Sequence, residues 1–161
     1  MDDKPLVTDK ALTFGDELPE GGALLALDVG TKTVGVATCD AGWRYATAGK
    51  TLIRGKFGKD SEALRAIVGE RSIKGVVIGL PRNMDGSEGP RAQASRAYAR
   101  NVAAALGLPV LLWDERWSTA SAEGAMIAQD MSRAKRAERI DSHAAAVILQ
   151  GAIDTLAGGG F

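Results

Sequence analysis

The sequence predicts an α/β domain: a five-stranded mixed sheet, three antiparallel strands followed by two parallel ones, with helices on both faces. Three observations carry this reading. The runs ALLALDV (23–29), GVVIGL (75–80) and VLLW (110–113) are near-continuously apolar, the pattern of strands buried on both faces. Residues 23–53 hold three β-rich runs joined by turns too short for anything but antiparallel neighbours. Beyond residue 60, apolar runs alternate with stretches of helical period, which calls for crossovers and parallel pairing.

Taken in order, residues 1–22 read as a polar leader closing on the turn Pro19-Glu20-Gly21-Gly22. The domain is expected over 23–157, with a Gly-rich tail at 158–161. Strands at 23–29 and 33–38 are joined by Gly30-Thr31-Lys32, and a third strand is expected over 43–53. Ser61 is a candidate cap for a helix carrying Leu64, Ile67 and Val68 on one face. Strand 75–80 ends at Pro81. A helix from about Arg91 to Leu106 is stopped by Gly107 and Pro109, and strand 110–113 follows. Ser118 fits the N-cap of a small-residue helix to about Ala128. A basic loop, MSRAKRAER, then leads to a last helix from Asp141.

Composition narrows the function classes. The 161 residues are 45% apolar and 25% charged, as in soluble globular domains, and no apolar run reaches the roughly 18 residues of a membrane span. The single cysteine, Cys39, excludes an internal disulfide and a cysteine-rich zinc site; a small buried apolar role suits it. No apolar signal-peptide core opens the chain, so the expectation is a cytoplasmic protein, monomer or weak homodimer, with no membrane partner. The net charge of zero hides an asymmetry. Residues 1–20 hold six acids and two lysines, a net −4, so the other 141 residues carry +4. That balance is compatible with a nucleic-acid backbone without demanding one.

Sites in α/β sheets collect at the carboxyl ends of strands. Asp28 stands near the end of an otherwise apolar strand, where an unpaired carboxylate is costly. Asp114 and Glu115 close the last strand. Neighbouring strand residues point to opposite faces, so one of the two is expected to face a shared site. Asp141 opens the final helix, where an N-cap role explains it as well as a functional one. Three acids from separate elements suit a divalent-metal site of hard oxygen ligands, Mg²⁺ or Mn²⁺, for phosphodiester cleavage.

The motifs LALDVGTKTVGVATCD, VVIGLPRNMDGSEGPRA, VLLWDERWSTASAE and DSHAAAVILQGAID resemble the YqgF/RuvX-type resolvase family across about residues 23–155. The resemblance implies an RNase H-like fold and metal-dependent nuclease chemistry. It also implies maturation of the 5′ end of precursor 16S ribosomal RNA, or alternatively Holliday-junction resolution in DNA recombination and repair. Carried over motif by motif, it assigns Asp28, Glu115 and Asp141 as the catalytic, metal-holding acids, with Asp114 the spare candidate. Other RNase H-like resolvases place an acid after the fourth strand, where this chain has Leu80-Pro81.

The expected partner is structured nucleic acid, an RNA precursor or branched DNA. Its candidate contacts are Lys32 beside Asp28, Arg82 and Asn83 in the PRNMDGSEG loop, Arg116 after the acid pair, and Arg133, Lys135, Arg136 and Arg139 before Asp141. Each has a bland counterpart: turn chemistry for Lys32, a solvated loop for Arg82 and Asn83, a salt bridge to Asp114 for Arg116, and a solvated basic surface for the last four. Trp113 and Trp117 are expected in the core, and His143 on a helix surface. A more distant alternative is a nucleotide-binding phosphotransferase of the actin-like and sugar-kinase type, because Asp28-Val29-Gly30-Thr31 resembles that phosphate loop. The chain has no second Asp-x-Gly-Thr motif, which argues against it.

Overall fold

The computed structural model describes residues 5–117 and 133–158, with side chains to Trp117 and again from Ser142. Strands β1 (Val7–Thr8), β2 (Ala23–Val29), β3 (Thr33–Cys39), β4 (Thr47–Ala48), β5 (Leu52–Ile53), β6 (Ile73–Leu80) and β7 (Val110–Asp114) form one sheet. Its order is β1-β7-β6-β2-β3-β4, with β5 also paired to β3. Strands β2 and β3 are antiparallel, as are the short β4 and β5 against β3, while β2, β6, β7 and β1 are parallel neighbours. The predicted mixed architecture holds. Among the described residues the strand count rises to seven, because the run expected over 43–53 breaks into β4 and β5 and because β1 joins the far edge.

Among the described residues, four helices flank the sheet: α1 (Ala11–Asp16), α2 (Phe57–Arg71), α3 (Pro90–Leu106) and α4 (Arg133–Ala157). Helix α2 starts a turn before Ser61, whose hydroxyl donates to the Gly58 carbonyl rather than capping the helix. Helix α3 opens on Pro90 and stops at Gly107, whose φ of 66° lies in the left-handed region that glycine occupies freely. The basic stretch read as a loop is helical from Arg133. Asp141 therefore lies well inside α4 and is not its N-cap. The helix expected from Ser118 to Ala128 lies outside the described residues.

Strand alternation divides the core in two. Leu25, Leu27, Val29, Val76, Ile78, Leu80, Val110 and Leu112 face one side with Leu64 and α3 residues Ala99 and Val102. Leu24, Ala26, Val77, Leu111 and Trp113 face the other, against Phe14 of α1 and Ala145, Ile148 and Leu149 of α4. Burying both faces explains the unbroken apolar runs.

The segment read as a leader is part of this structure from Leu6 onward. Val7 and Thr8 pair with Val110 and Leu111, and the Val110 amide donates to the Leu6 carbonyl. Phe14 is fully buried, in space that Gly75 leaves open: a Cβ at residue 75 would lie 2.8 Å from its ring. No helix among the described residues is long and apolar enough to cross a membrane.

Candidate active site

Parity along β2 sets the first acid. Asp28 shares its face with Leu24 and Ala26, the face that α4 covers. It is half-buried at the carboxyl end of the strand, next to the turn in which the Gly30 amide donates to the Thr33 carbonyl at 2.9 Å. On β7 the same alternation puts Trp113 on the α4 face and turns Asp114 to the other. The chain then tightens into a single 3₁₀ turn, Glu115–Trp117, which returns Glu115 toward Asp28.

The two acids meet. Burial, followed by the charge of Asp28 and a hydrogen bond to it, pushes the Glu115 carboxyl up to about 7, while Arg91 at the start of α3 opposes the shift. What makes room for Glu115 is Gly79 on β6. A Cβ on residue 79 would lie 2.6 Å from Glu115 Oε1 and 2.7 Å from Ile148 Cδ1.

Asp114 has a different occupation. Its side chain is 1% exposed and lies 2.6 Å from Arg116 Nη2 and 3.3 Å from Arg82 Nη1. Its Oδ1 also accepts the Arg116 amide at 2.9 Å. The paired guanidinium of Arg116 holds the Asp114 carboxyl below its ordinary range against the opposing effect of burial.

Arg82 and Arg116, expected to hold phosphate, are thus engaged with carboxylates. Arg82 contacts Asp9 at 2.9 Å, Glu88 at 3.3 Å and Asp114. Arg116 takes the salt-bridge alternative and donates through Nη1 to the Met84 carbonyl. Asn83 closes its own loop, with its side-chain amide donating to Ser87 Oγ at 3.0 Å. Lys32 is exposed in the turn after Asp28.

For Asp141, Arg133, Lys135, Arg136 and Arg139 the structure describes the helical backbone, and their side chains lie outside the described residues. The next residue, Ser142, is fully buried. Its hydroxyl accepts from the Val36 amide at 3.4 Å and shares a hydrogen bond with Thr51 Oγ1 at 2.7 Å. Val36 pairs with Leu27, so Ser142 fixes α4 over the strand pair that carries Asp28. Among residues with described side chains, no cluster of three metal-ligating groups occurs.

Trp113 is buried as expected. Trp117 is 43% exposed and meets Trp113 edge-to-face, with centroids 4.9 Å apart. His143 is half-buried, and Cys39 is a buried free thiol. Gly79 and Arg91 are the site residues that sequence reasoning missed. A glycine inside a buried strand signals close approach, but not of what.

A parallel sheet extended by an antiparallel hairpin is the RNase H-like arrangement, and here an acid pair stands at the carboxyl end of its first long strand. Residues 22–155 match the family model described as RuvX, Holliday junction resolvase, and the chain belongs to that family. A relative from Novosphingobium aromaticivorans is 66% identical over 156 residues, 97% of this chain and 100% of the relative. One from Sphingopyxis alaskensis is 62% identical over 151 residues, 94% and 99% of the two chains. Both carry the name "Putative pre-16S rRNA nuclease". Among solved structures, Thermus thermophilus RuvC aligns with a TM-score of 0.53 at 15% identity, over 84% of this chain and 96% of that one. RuvC in complex with a Holliday junction substrate aligns at 0.51 and 14%, over 86% and 98%. At such identities the likeness is one of fold.

Proposed function

We propose that this protein is a metal-dependent nuclease that trims the 5′ end of precursor 16S ribosomal RNA in the cytoplasm. Asp28, Glu115 and Asp141 are its ligand set. One observation carries the reading: Glu115 is folded back over Gly79 onto Asp28, two acids in contact where burial and the charge of Asp28 favour a protonated Glu115. Such a pair is costly in itself and suits a divalent cation, whose charge would let both ionise. Mg²⁺ or Mn²⁺ fits this all-oxygen donor set; when bound it supplies activation of a water and charge neutralisation at the scissile phosphate. The chain's own residues would orient that chemistry. Gly79 leaves the channel for Glu115, Ser142 holds the register of α4 beside Asp141, and Arg91 tempers the negative potential of the pair.

The RNA substrate is favoured by the names of the relatives above. Holliday-junction cleavage is the second reading, favoured by the description of the family model. A cleavage panel with Mg²⁺ or Mn²⁺ separates them, using precursor 16S RNA, plain single strands and four-way DNA junctions. Metal-dependent cleavage at the 16S 5′ end supports the first reading, and preferential junction cleavage replaces it with the second. No cleavage of any substrate overturns both.

A further inference from the structure

The arginines around the loop between β6 and α3 are spent on carboxylates, but the cations on the other side of Asp28 are not. Lys32, Arg54, Lys56 and Lys59 are exposed, and none forms an ion pair among the described residues. They sit on a braced segment. Arg54 donates through Nη1 to the Gly30 carbonyl at 2.8 Å and through its backbone amide to the Lys32 carbonyl at 2.9 Å. Its guanidinium lies 5.1 Å from the centroid of the Tyr98 ring. The Tyr98 hydroxyl donates to Asp60, a buried acid that also accepts the Gly55 amide at 3.0 Å. The segment from Arg54 to Asp60 is therefore fastened at one end to the turn two residues beyond Asp28 and at the other to the start of α2.

Lys56 and Lys59 flank the N-terminus of α2, where the helix dipole disfavours cations. Neither has a carboxylate partner there to offset that cost. We propose that Lys32, Arg54, Lys56 and Lys59 form a track for the phosphodiester backbone of the nucleic-acid strand on one side of the scissile phosphate. This rests on the nuclease reading. Exposed cations without carboxylate partners, on a segment fastened to the turn beside an acid pair, match a polyanion, because successive phosphates present a charge at every step.

The test uses the full chain with Lys56→Ala and Lys59→Ala combined, and a Lys56→Arg, Lys59→Arg control. Binding of a labelled single-stranded oligonucleotide is titrated at several salt concentrations in metal-free buffer. Two lost phosphate contacts on a single strand should reduce the log–log salt slope by roughly 1.4 and weaken binding roughly 30-fold at 0.1 M salt. In cleavage, KM should rise with kcat nearly unchanged, Tm should hold or rise, and the arginine control should restore the slope. Parallel salt plots for wild type and the alanine variant would overturn the track while leaving the nuclease reading intact. A wild type that cleaves no nucleic acid overturns the nuclease reading, and the track with it.

Discussion

Glu115 reaches Asp28 over residue 79, and it does so because residue 79 is glycine: a Cβ there would stand 2.6 Å from Glu115 Oε1. The carboxylate end of Glu115 is the movable partner in that clash. Gly79→Ala is therefore expected to displace Glu115 from Asp28, with an overpacking cost of about 1–3 kcal/mol that also involves Ile148. A folded variant should bind Mn²⁺ at least tenfold more weakly and lose kcat in proportion. Calorimetric titration beside a thermal melt reads both. Unchanged metal affinity would remove Gly79 from the site.

Asp28→Asn keeps the shape of the side chain and removes the charge that raises the Glu115 carboxyl. Cleavage should fall by about 100-fold or more, since the metal loses a ligand. The fold should persist, and Tm in metal-free buffer should hold or rise because the repulsion is gone. Full activity in the folded variant would sink the metal-site reading.

The two acids at the end of β7 should part company under mutation. Glu115→Gln is expected to match Asp28→Asn, with activity lost and stability kept. Asp114→Asn should instead weaken the fold by about 3 kcal/mol, because it strips a buried carboxylate from Arg82 and Arg116. Activity per folded molecule should be mostly retained. Denaturant midpoints and single-turnover rates on the same preparations rank the two roles, and the reverse ranking would exchange them.

Glu88 supplies an acid-sensitive contact. Arg96, with help from Arg82, lowers its carboxyl to about 2 from an ordinary 4.5. The depressed value means that its stabilisation is complete above about pH 4.5 and is lost as pH falls through about 2. Glu88→Gln should lower Tm by about 2–4 °C at pH 7, the worth of a partly exposed pair in a domain of this size. The gap to wild type should close between pH 4.5 and 2. A constant difference across that range would show that the pairing with Arg96 contributes nothing.

Much of this was legible in the chain because burial writes itself into apolar runs. Asp28 stood out as an acid inside one of them, and alternation correctly required Asp114 and Glu115 to diverge. Which of the two faced Asp28 depended on the face α4 covers, a tertiary fact. Arg82 looked free because its partner Asp9 lies 73 residues away. The edge formed by Val7 and Thr8 and the short helix α1 carry too few residues to show a period, so they passed for a leader. The break of residues 43–53 into β4 and β5 came from the two short pairings on β3, which alternation does not report.

That small N-terminal element has a consequence for how the molecule meets copies of itself. It precedes the span shared with the family model, which begins at residue 22, yet it occupies the outer rim of β7 in parallel register. Without it, β7 would offer unpaired amides and carbonyls at Val110 and Leu111 as well, lengthening an edge open to intermolecular strand addition. Two paired residues thus cover the start of an otherwise open strand edge.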